Sequence, residues 1–372
     1  AHAPAPRGLR TRGGADAAAM GAPPRGRAGA GLRTGEQAAE AGANGWVRAG
    51  LCTACGPRAF NEDAHVLLCD WAPEPGPGRG PAALFAVCDG HGGSAVARWT
   101  ARKLAEELRV ELDEGKAWCE EETRRTAAEC AFLALDRGLL RSMGAAASTC
   151  GATCVAAAVC RLPREAACAR AATSGDDHER GRSSSRSRSP RRMPAATGDE
   201  EVGLSRVLLM NVGDSRALLC RQGVGVVKET ADHKPDAPAE LARIEASAGF
   251  VSAAKGQDPA RVDGVLSVAR ALGDFRWKLD ASRPPEAQRI SPLPDVYDLE
   301  VQGGDVLLLA CDGVFDVLSS SEAASLALES LAGRACGTGS AAREAAEAVV
   351  RRALERGTGD NVTCVIAQLL PD

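Results

Sequence analysis

Aromatic side chains are scarce in this chain: Phe, Trp and Tyr make up 3% of 372 residues, and Tyr297 is the sole tyrosine. Its interior must therefore be built mostly from Ala, Val and Leu, and aromatic platforms for single-stranded nucleic acid are not expected. Long apolar runs are lacking too. The longest in the body, Ala152 to Cys160 with Thr153 interrupting it, falls far short of the ~20 residues a membrane helix needs, so no bilayer span is expected. Neither sign of charge dominates. The 49 Asp plus Glu against 45 Lys plus Arg leave a net −4, which excludes a dedicated polyanion binder. What is present, 45% apolar and 25% charged residues, excludes a wholly disordered chain and supplies one large core or two small ones.

The 14 cysteines amount to a low density for a disulfide scaffold, and no secretory apolar segment precedes them. They read as reduced thiols of an intracellular protein, cytoplasmic or nuclear. Cys52 and Cys55 form one C-x-x-C, but no second pair follows at zinc-finger spacing, which favours two buried strand cysteines over a zinc site.

Residues 1 to 43 are Ala, Gly, Pro and Arg with almost no large apolar residue and read as a disordered basic tail, six Arg against Asp16, Glu36 and Glu40. An organelle transit peptide and a fragment boundary both stay open. Met20-Gly21 is a conceivable internal start, although Arg25 stands where a myristoylation signal wants Ser or Thr. A second foreign stretch spans about 164 to 203, centred on the Arg/Ser run from Arg180 to Arg192. It separates two strand-like runs and reads as a solvated, disordered insertion. The sharper alternative is a segment that is phosphorylated or makes weak contact with RNA.

Elsewhere strand-like and helix-like segments alternate. Strands are expected at Val47 to Cys52, Ala64 to Leu68, Ala83 to Cys88, Ala152 to Cys160, Val207 to Val212, Ala217 to Arg221, Val265 to Val268, Val306 to Cys311 and Val362 to Leu369. Apolar stripes predict helices over Ser94 to Leu112 and Glu120 to Met143. Ser319 and Glu322 form a capping box opening a helix to Leu331, and a last helix runs from Ser340 to Arg356. Strand runs with paired long helices imply helices packed outside stacked sheets.

Acids sit at strand ends beside glycine: Glu62-Asp63, Asp89-Gly90-His91, Gly213-Asp214, Asp312-Gly313 and Gly359-Asp360. Any one of these is most simply a turn. Together they are harder to explain that way, because carboxylates converging without enough cations repel and are costly to desolvate. A divalent cation removes that cost, and oxygen-only ligands point to Mg²⁺ or Mn²⁺ rather than zinc. Two such ions suit hydrolysis of a phosphate ester.

In order along the chain stand Arg58-Ala-Phe-Asn-Glu62-Asp63-Ala64-His65, Phe85 to Asp89-Gly-His-Gly-Gly93, Gly151-Ala-Thr153, Asn211-Val-Gly-Asp214-Ser-Arg216, Asp232-His-Lys-Pro235, Glu240 to Ile244, Arg261-Val-Asp-Gly264, Ser267 to Asp274, Pro294-Asp-Val296, Asp312-Gly-Val-Phe-Asp316 and Gly359-Asp360-Asn361-Val-Thr363. From about Gly45 to Leu370 the sequence resembles the metal-dependent serine/threonine protein phosphatases of type 2C.

That resemblance implies an α/β fold of two stacked, mainly antiparallel β-sheets flanked on both sides by helices, an α-β-β-α sandwich, over residues 44–372. It implies hydrolysis of phosphoserine and phosphothreonine in proteins by water activated between two Mg²⁺ or Mn²⁺ ions, with a weaker third ion alongside. Asp89 would bridge the two metals. Asp312 and Asp360 would complete one site, and Glu62 with the Gly90 carbonyl the other. Asp63 would hold metal-bound water, and Asp214 would join Asp312 at the third site. Arg58 would grip the substrate phosphate and His91 would protonate the leaving oxygen. His65 and His233 are expected to stabilise loops, and Asp274 and Asp316 to be structural, bonding backbone at sharp turns. Asn61, Cys88 and Ala269 depart from common family residues without removing a ligand. Phosphoprotein substrates and a monomer are expected; phosphatase action on small metabolites, or an interaction role through the Arg/Ser segment, are the alternatives.

Overall fold

A computed structural model of the chain describes residues 37–71, 82–113, 121–161, 205–256, 258–333 and 339–371. Tail residues 1–36 and the expected Arg/Ser insertion at 164–203 lie outside them. The main elements, in chain order, are β1 (Gln37–Ala43), β2 (Val47–Ala54), β3 (Ala64–Leu68), β4 (Ala82–Cys88), α1 (Ala95–Asp113), α2 (Glu121–Met143), β5 (Cys154–Arg161) and β6 (Ser205–Val212). There follow β7 (Arg216–Arg221), β8 (Gly225–Glu229), α3 (Pro238–Ala246), β9 (Asp295–Val301), β10 (Val306–Ala310), α4 (Asp312–Phe315), α5 (Ser320–Leu331), α6 (Ser340–Glu355) and β11 (Val362–Leu369).

Strands form a six-stranded sheet, β1-β2-β11-β10-β7-β8, and a five-stranded sheet, β9-β6-β5-β4-β3, with every neighbouring pair antiparallel. Strands β4 and β10 are apolar throughout because both of their faces are covered. In β4, Ala83, Phe85 and Val87 join Leu51, Leu309 and Val365 in the layer between the sheets. Leu84, Ala86 and Cys88 point the other way, into a core shared with Leu104 and Leu108 of α1 and Phe132 and Leu135 of α2. On the far side, Cys364 and Ile366 of β11 meet Ala327 of α5 and Val349 and Val350 of α6. Four layers result, helices outside and sheets inside, as the resemblance implied.

Local chemistry sets the start of α5. Ser319 caps α5: its side chain accepts from the Glu322 N–H while the Glu322 carboxylate accepts from the Ser319 N–H. No described helix is long and apolar enough to cross a membrane.

Four expectations need correction. Residues 37–43, assigned to the tail, form β1, held by backbone pairing to β2 and only partly buried, which is why composition did not reveal them. The expected strand from Val265 to Val268 is a turn closed by a Val262–Leu266 bridge, with Asp263 and Gly264 at positive φ. The run from Ala152 breaks at Thr153: Gly151–Ala152 pairs with Gly90–His91 and Leu272–Gly273, and only Cys154–Arg161 enters the large sheet. Strand β9 went unrecognised because Asp298 and Glu300 lie within it. There the buried Asp298 is paired with Arg124 and Arg206, and Arg206 also reaches Glu300.

Candidate metal and phosphate site

Antiparallel connectivity brings the acidic strand ends together. Asp63 immediately precedes β3, Asp89 follows β4, Asp214 lies just past β6, Asp312 opens α4 after β10, and Asp360 lies two residues before β11. Since β3, β4 and β6 belong to one sheet and β10 and β11 to the other, both sheets deliver carboxylates to one end of the sandwich. There a cleft of about 480 Å³ is lined by Arg58, Glu62, Asp89, Gly90, His91, Asp214, Asp312 and Asp360, among others. Behind it, ligand atoms of Asp63, Asp89 and Cys311 all lie within 4.8 Å of one another.

A buried polar chain fixes Asp63. Nδ2 of Asn61 donates to Oγ1 of Thr53 (2.8 Å), the Thr53 and Thr363 hydroxyls are 2.7 Å apart, and Oγ1 of Thr363 donates to Oδ2 of Asp63 (2.5 Å). Asn361 sets Glu62: its Oδ1 accepts from the Glu62 N–H, while its Nδ2 donates to the carbonyls of Cys55 and Phe60. Cys55 is a buried thiol that donates to the Arg58 carbonyl, and Cys52 is buried in β2, which agrees with the reading of that pair as structural. Gly90 is required by close approach, because a Cβ there would stand 2.4 Å from the Glu62 carbonyl oxygen.

The cluster carries more negative charge than the protein neutralises. Burial first, and then the charges of Asp312, Asp63, Asp214 and Asp360, push the Asp89 carboxyl well above the carboxylate range. Burial, Asp214, Asp316 and Asp360 do the same to Asp312, against the opposing pull of Lys234. Burial raises Asp63 to about 6 despite the Thr363 hydrogen bond. Asp360 is raised by burial, partly offset by the Asn361 N–H and by Arg58. Oδ1 of Asp63 and Oδ1 of Asp312 are buried without a hydrogen-bond partner among the described residues. Unpartnered carboxylate oxygens facing like charges suit a hard cation, and the donor set, all oxygen apart from the protonated thiol of Cys311, suits Mg²⁺ or Mn²⁺.

Cations and the histidine occupy defined places. Nη2 of Arg58 lies 2.7 Å from Oδ2 of Asp360, and its Nε donates to the Gly359 carbonyl (3.0 Å). Nζ of Lys234 donates to Oδ2 of Asp214 (2.6 Å). Nε2 of His91 is 2.6 Å from Oδ2 of Asp274, a fully buried carboxylate. Burial alone would lower the His91 imidazole, but the hydrogen bond and charge of Asp274 outweigh it and hold it above its ordinary value. Gly151 leaves room for this pair: a Cβ there would fall 2.2 Å from Asp274 Oδ2 and 2.5 Å from His91 Nε2.

Other expected residues lie apart from these contacts. His65 sits 3.6 Å from Glu40 of β1, and His233 accepts from the Gly213 N–H and approaches Asp295 at 3.3 Å. Asp316, read as structural, bonds the Asp312 carbonyl through its N–H, and burial with Asp214 and Asp360 raises its carboxyl. Its spacing of four residues from Asp312 was the available signal, since such residues share one helical face. Lys234 lies within the Asp232-His-Lys-Pro235 motif, whose spacing gives no hint that it meets Asp214, and no local pattern marks Arg276, which reaches the cleft through tertiary folding.

The family model for protein phosphatase 2C matches residues 47–176 and 203–362. Human "Probable protein phosphatase 1N" is 36% identical over 327 residues, covering 87% of this chain and 61% of that protein, so the chain spans about three fifths of that relative. "Protein phosphatase 2C homolog 2" of Schizosaccharomyces pombe is 28% identical, covering 88% of this chain and 75% of that protein. Among solved structures, a phosphatase from Toxoplasma gondii superposes with a TM-score of 0.65 at 27% identity, over 90% of this chain and 96% of that one. A second Toxoplasma gondii structure, a serine-threonine phosphatase 2C, matches the fold at TM-score 0.63 and 19% identity. The motifs, the four-layer sandwich and these matches together identify the chain as a member of the protein phosphatase 2C family.

Proposed function

We propose that the chain is a metal-dependent protein phosphatase that hydrolyses phosphoserine and phosphothreonine esters. The observation that carries this reading is the half-buried Asp89, surrounded by carboxylates from both sheets and lining a cleft that also holds Arg58 and His91. The unpartnered oxygens of Asp63 and Asp312 support a cation site there. Asp89 would serve two divalent ions, Mg²⁺ or Mn²⁺, with Asp312 and Asp360 completing one coordination set and Glu62 and the Gly90 carbonyl the other. Asp63 would hold a bound water, and Asp214 would contribute with Asp312 to a weaker third site. When bound, such ions lower the pKa of a water and withdraw charge from phosphoryl oxygens.

The chain's own groups do the rest. Arg58 stands exposed at the rim, where a planar guanidinium can present two donors to two phosphate oxygens. As a water oxygen bonds to phosphorus and the ester P–O bond breaks, the seryl or threonyl oxygen needs a proton. His91 supplies it, since its pKa lies above the ordinary imidazole value, and Asp274 orients the ring and stabilises its charged form. No covalent phosphoenzyme is required.

The test is phosphate release from a phosphothreonine peptide by purified protein with Mn²⁺ or Mg²⁺. Turnover that persists in EDTA, or in Asp89→Asn, would sink the proposal.

A further inference from the structure

Once the acids of the cleft are assigned to cations and Arg58 to phosphate, two arginines in its lining have no task, Arg261 and Arg276. Arg261 is engaged by its own turn, with Nη1 donating to the Val265 carbonyl (2.7 Å). Arg276 differs. Among the described residues no carboxylate pairs with its guanidinium, which lies 5.6 Å from the centre of the Trp277 ring. The side chain is exposed, yet its backbone is fixed. It sits in the short turn Phe275–Trp277 between two buried aromatics, and its N–H donates to the Ser148 carbonyl (2.9 Å).

Its place in the cleft suggests what it meets. Arg276 lies two residues after Asp274, and Asp274 holds His91, the group that faces the leaving oxygen. That oxygen belongs to the substrate's own serine or threonine, so the substrate polypeptide leaves the cleft on the His91 side. The turn carrying Arg276 borders that exit, together with Trp277 and the half-exposed Val265. An unpaired cation stacked on an aromatic face and mounted on a rigid turn attracts an anionic neighbour and repels a basic one.

We propose that Arg276 is a specificity-determining residue that reads an acidic side chain flanking the phosphorylated serine or threonine; this rests on the phosphatase reading above. The substrate class is therefore phosphoprotein segments with Glu or Asp near the phosphosite.

The experiment measures kcat/KM for phosphothreonine peptides that differ only in carrying Glu, Gln or Lys at one flanking position, scanned along both sides. Wild-type protein is expected to favour Glu over Lys by about fivefold at one or more positions, the factor an exposed ion pair supplies. Raising salt should shrink that ratio. R276E should invert it and R276K preserve it, and because each ratio is taken within one variant, any general loss of activity cancels. A wild-type ratio near one at every position, or a ratio that R276E leaves untouched, overturns the assignment. Wild-type turnover of p-nitrophenyl phosphate with Mn²⁺ separates the two readings. Turnover without charge preference defeats the Arg276 proposal alone, whereas no turnover takes both down.

Discussion

His91 and Asp274 are 183 positions apart in sequence and 2.6 Å apart in space, with the aspartate fully buried and its backbone at φ 53°. A left-handed conformation at a residue other than glycine is held by its surroundings. Here Asp274 donates its N–H to the Cys150 carbonyl, between the strand pairings of Gly273 and the turn at Phe275.

If His91 delivers a proton to the leaving oxygen, the requirement depends on how poor the leaving group is. His91→Ala should cut kcat about a hundredfold on a phosphothreonine peptide and far less on p-nitrophenyl phosphate, whose phenolate leaves without help. Asp274→Asn should fall between wild type and His91→Ala on the peptide and be near wild type on the aryl ester. Equal losses on both substrates would show that His91 has another role.

Thermal unfolding with and without Mn²⁺ reports on the acidic cluster independently of activity. Cation binding to the folded state at a hundred times its dissociation constant stabilises by about 2.7 kcal/mol, a rise of several degrees in Tm. Asp89→Asn removes a charge that its neighbours oppose, so the metal-free variant should be more stable than metal-free wild type by about 0.5 to 2 kcal/mol. Its response to Mn²⁺ should nearly vanish. A variant that is less stable without metal, yet shifts as wild type does with it, would contradict the account of Asp89.

Lys234 bonds Asp214 and opposes the upward shift of Asp312, so its ammonium would compete with a cation at the third site proposed for these two acids. Lys234→Met should tighten the weakest Mn²⁺ step seen in titration calorimetry by about fivefold, and Lys234→Arg should not. Weaker binding in Lys234→Met would mean that the lysine organises Asp214 instead of competing with metal.

Away from the metal cluster, Glu240 joins two arginines. Its Oε1 accepts from Nε and Nη2 of Arg270, and Arg243 donates to its Oε2. Burial would raise the Glu240 carboxyl, but these partners hold it below its usual range. Glu240→Ala leaves the largely buried Arg243 without a carboxylate and Arg270 with Asp295 alone, and should cost about 3 kcal/mol in urea unfolding.

Arg270 also reaches Asp295, which lies at about 2, lowered first by the His233 hydrogen bond and then, against burial, by Arg270. Both acids have folded values below their unfolded ones, so their stabilisation is complete only above about pH 5, past the unfolded glutamate value. It is lost as the pH falls toward 2. The urea midpoint of wild type should drop steeply over that interval, and that of Asp295→Asn less steeply. Parallel curves would exclude Asp295 as a contributor.

Short-range order was legible wherever neighbours in sequence are neighbours in space. The boundaries of β3 and β11, the α1 and α2 stripes and the Ser319–Glu322 capping box all depend on residues a few positions apart. Elements whose stability is borrowed from elsewhere were not legible. Strand β9 carries charges that only Arg124 and Arg206 explain, β1 exists because β2 offers it hydrogen bonds, and Val265 to Val268 is apolar enough for a strand but is turned by Asp263 and Gly264.

At the site the division is the same. By itself the sequence determined which residue types stand at the strand ends, and with them the proposal of a hard-cation, phosphate-directed chemistry, because acid and glycine beside an apolar run are local facts. Tertiary structure alone decided that carboxylates from two sheets crowd around Asp89, that Lys234 neutralises Asp214, that Asp274 holds His91, and that Arg276 has no acidic partner among the described residues beside them. Charge interactions of that kind depend on distance through space and on burial, and neither is a property of spacing along the chain.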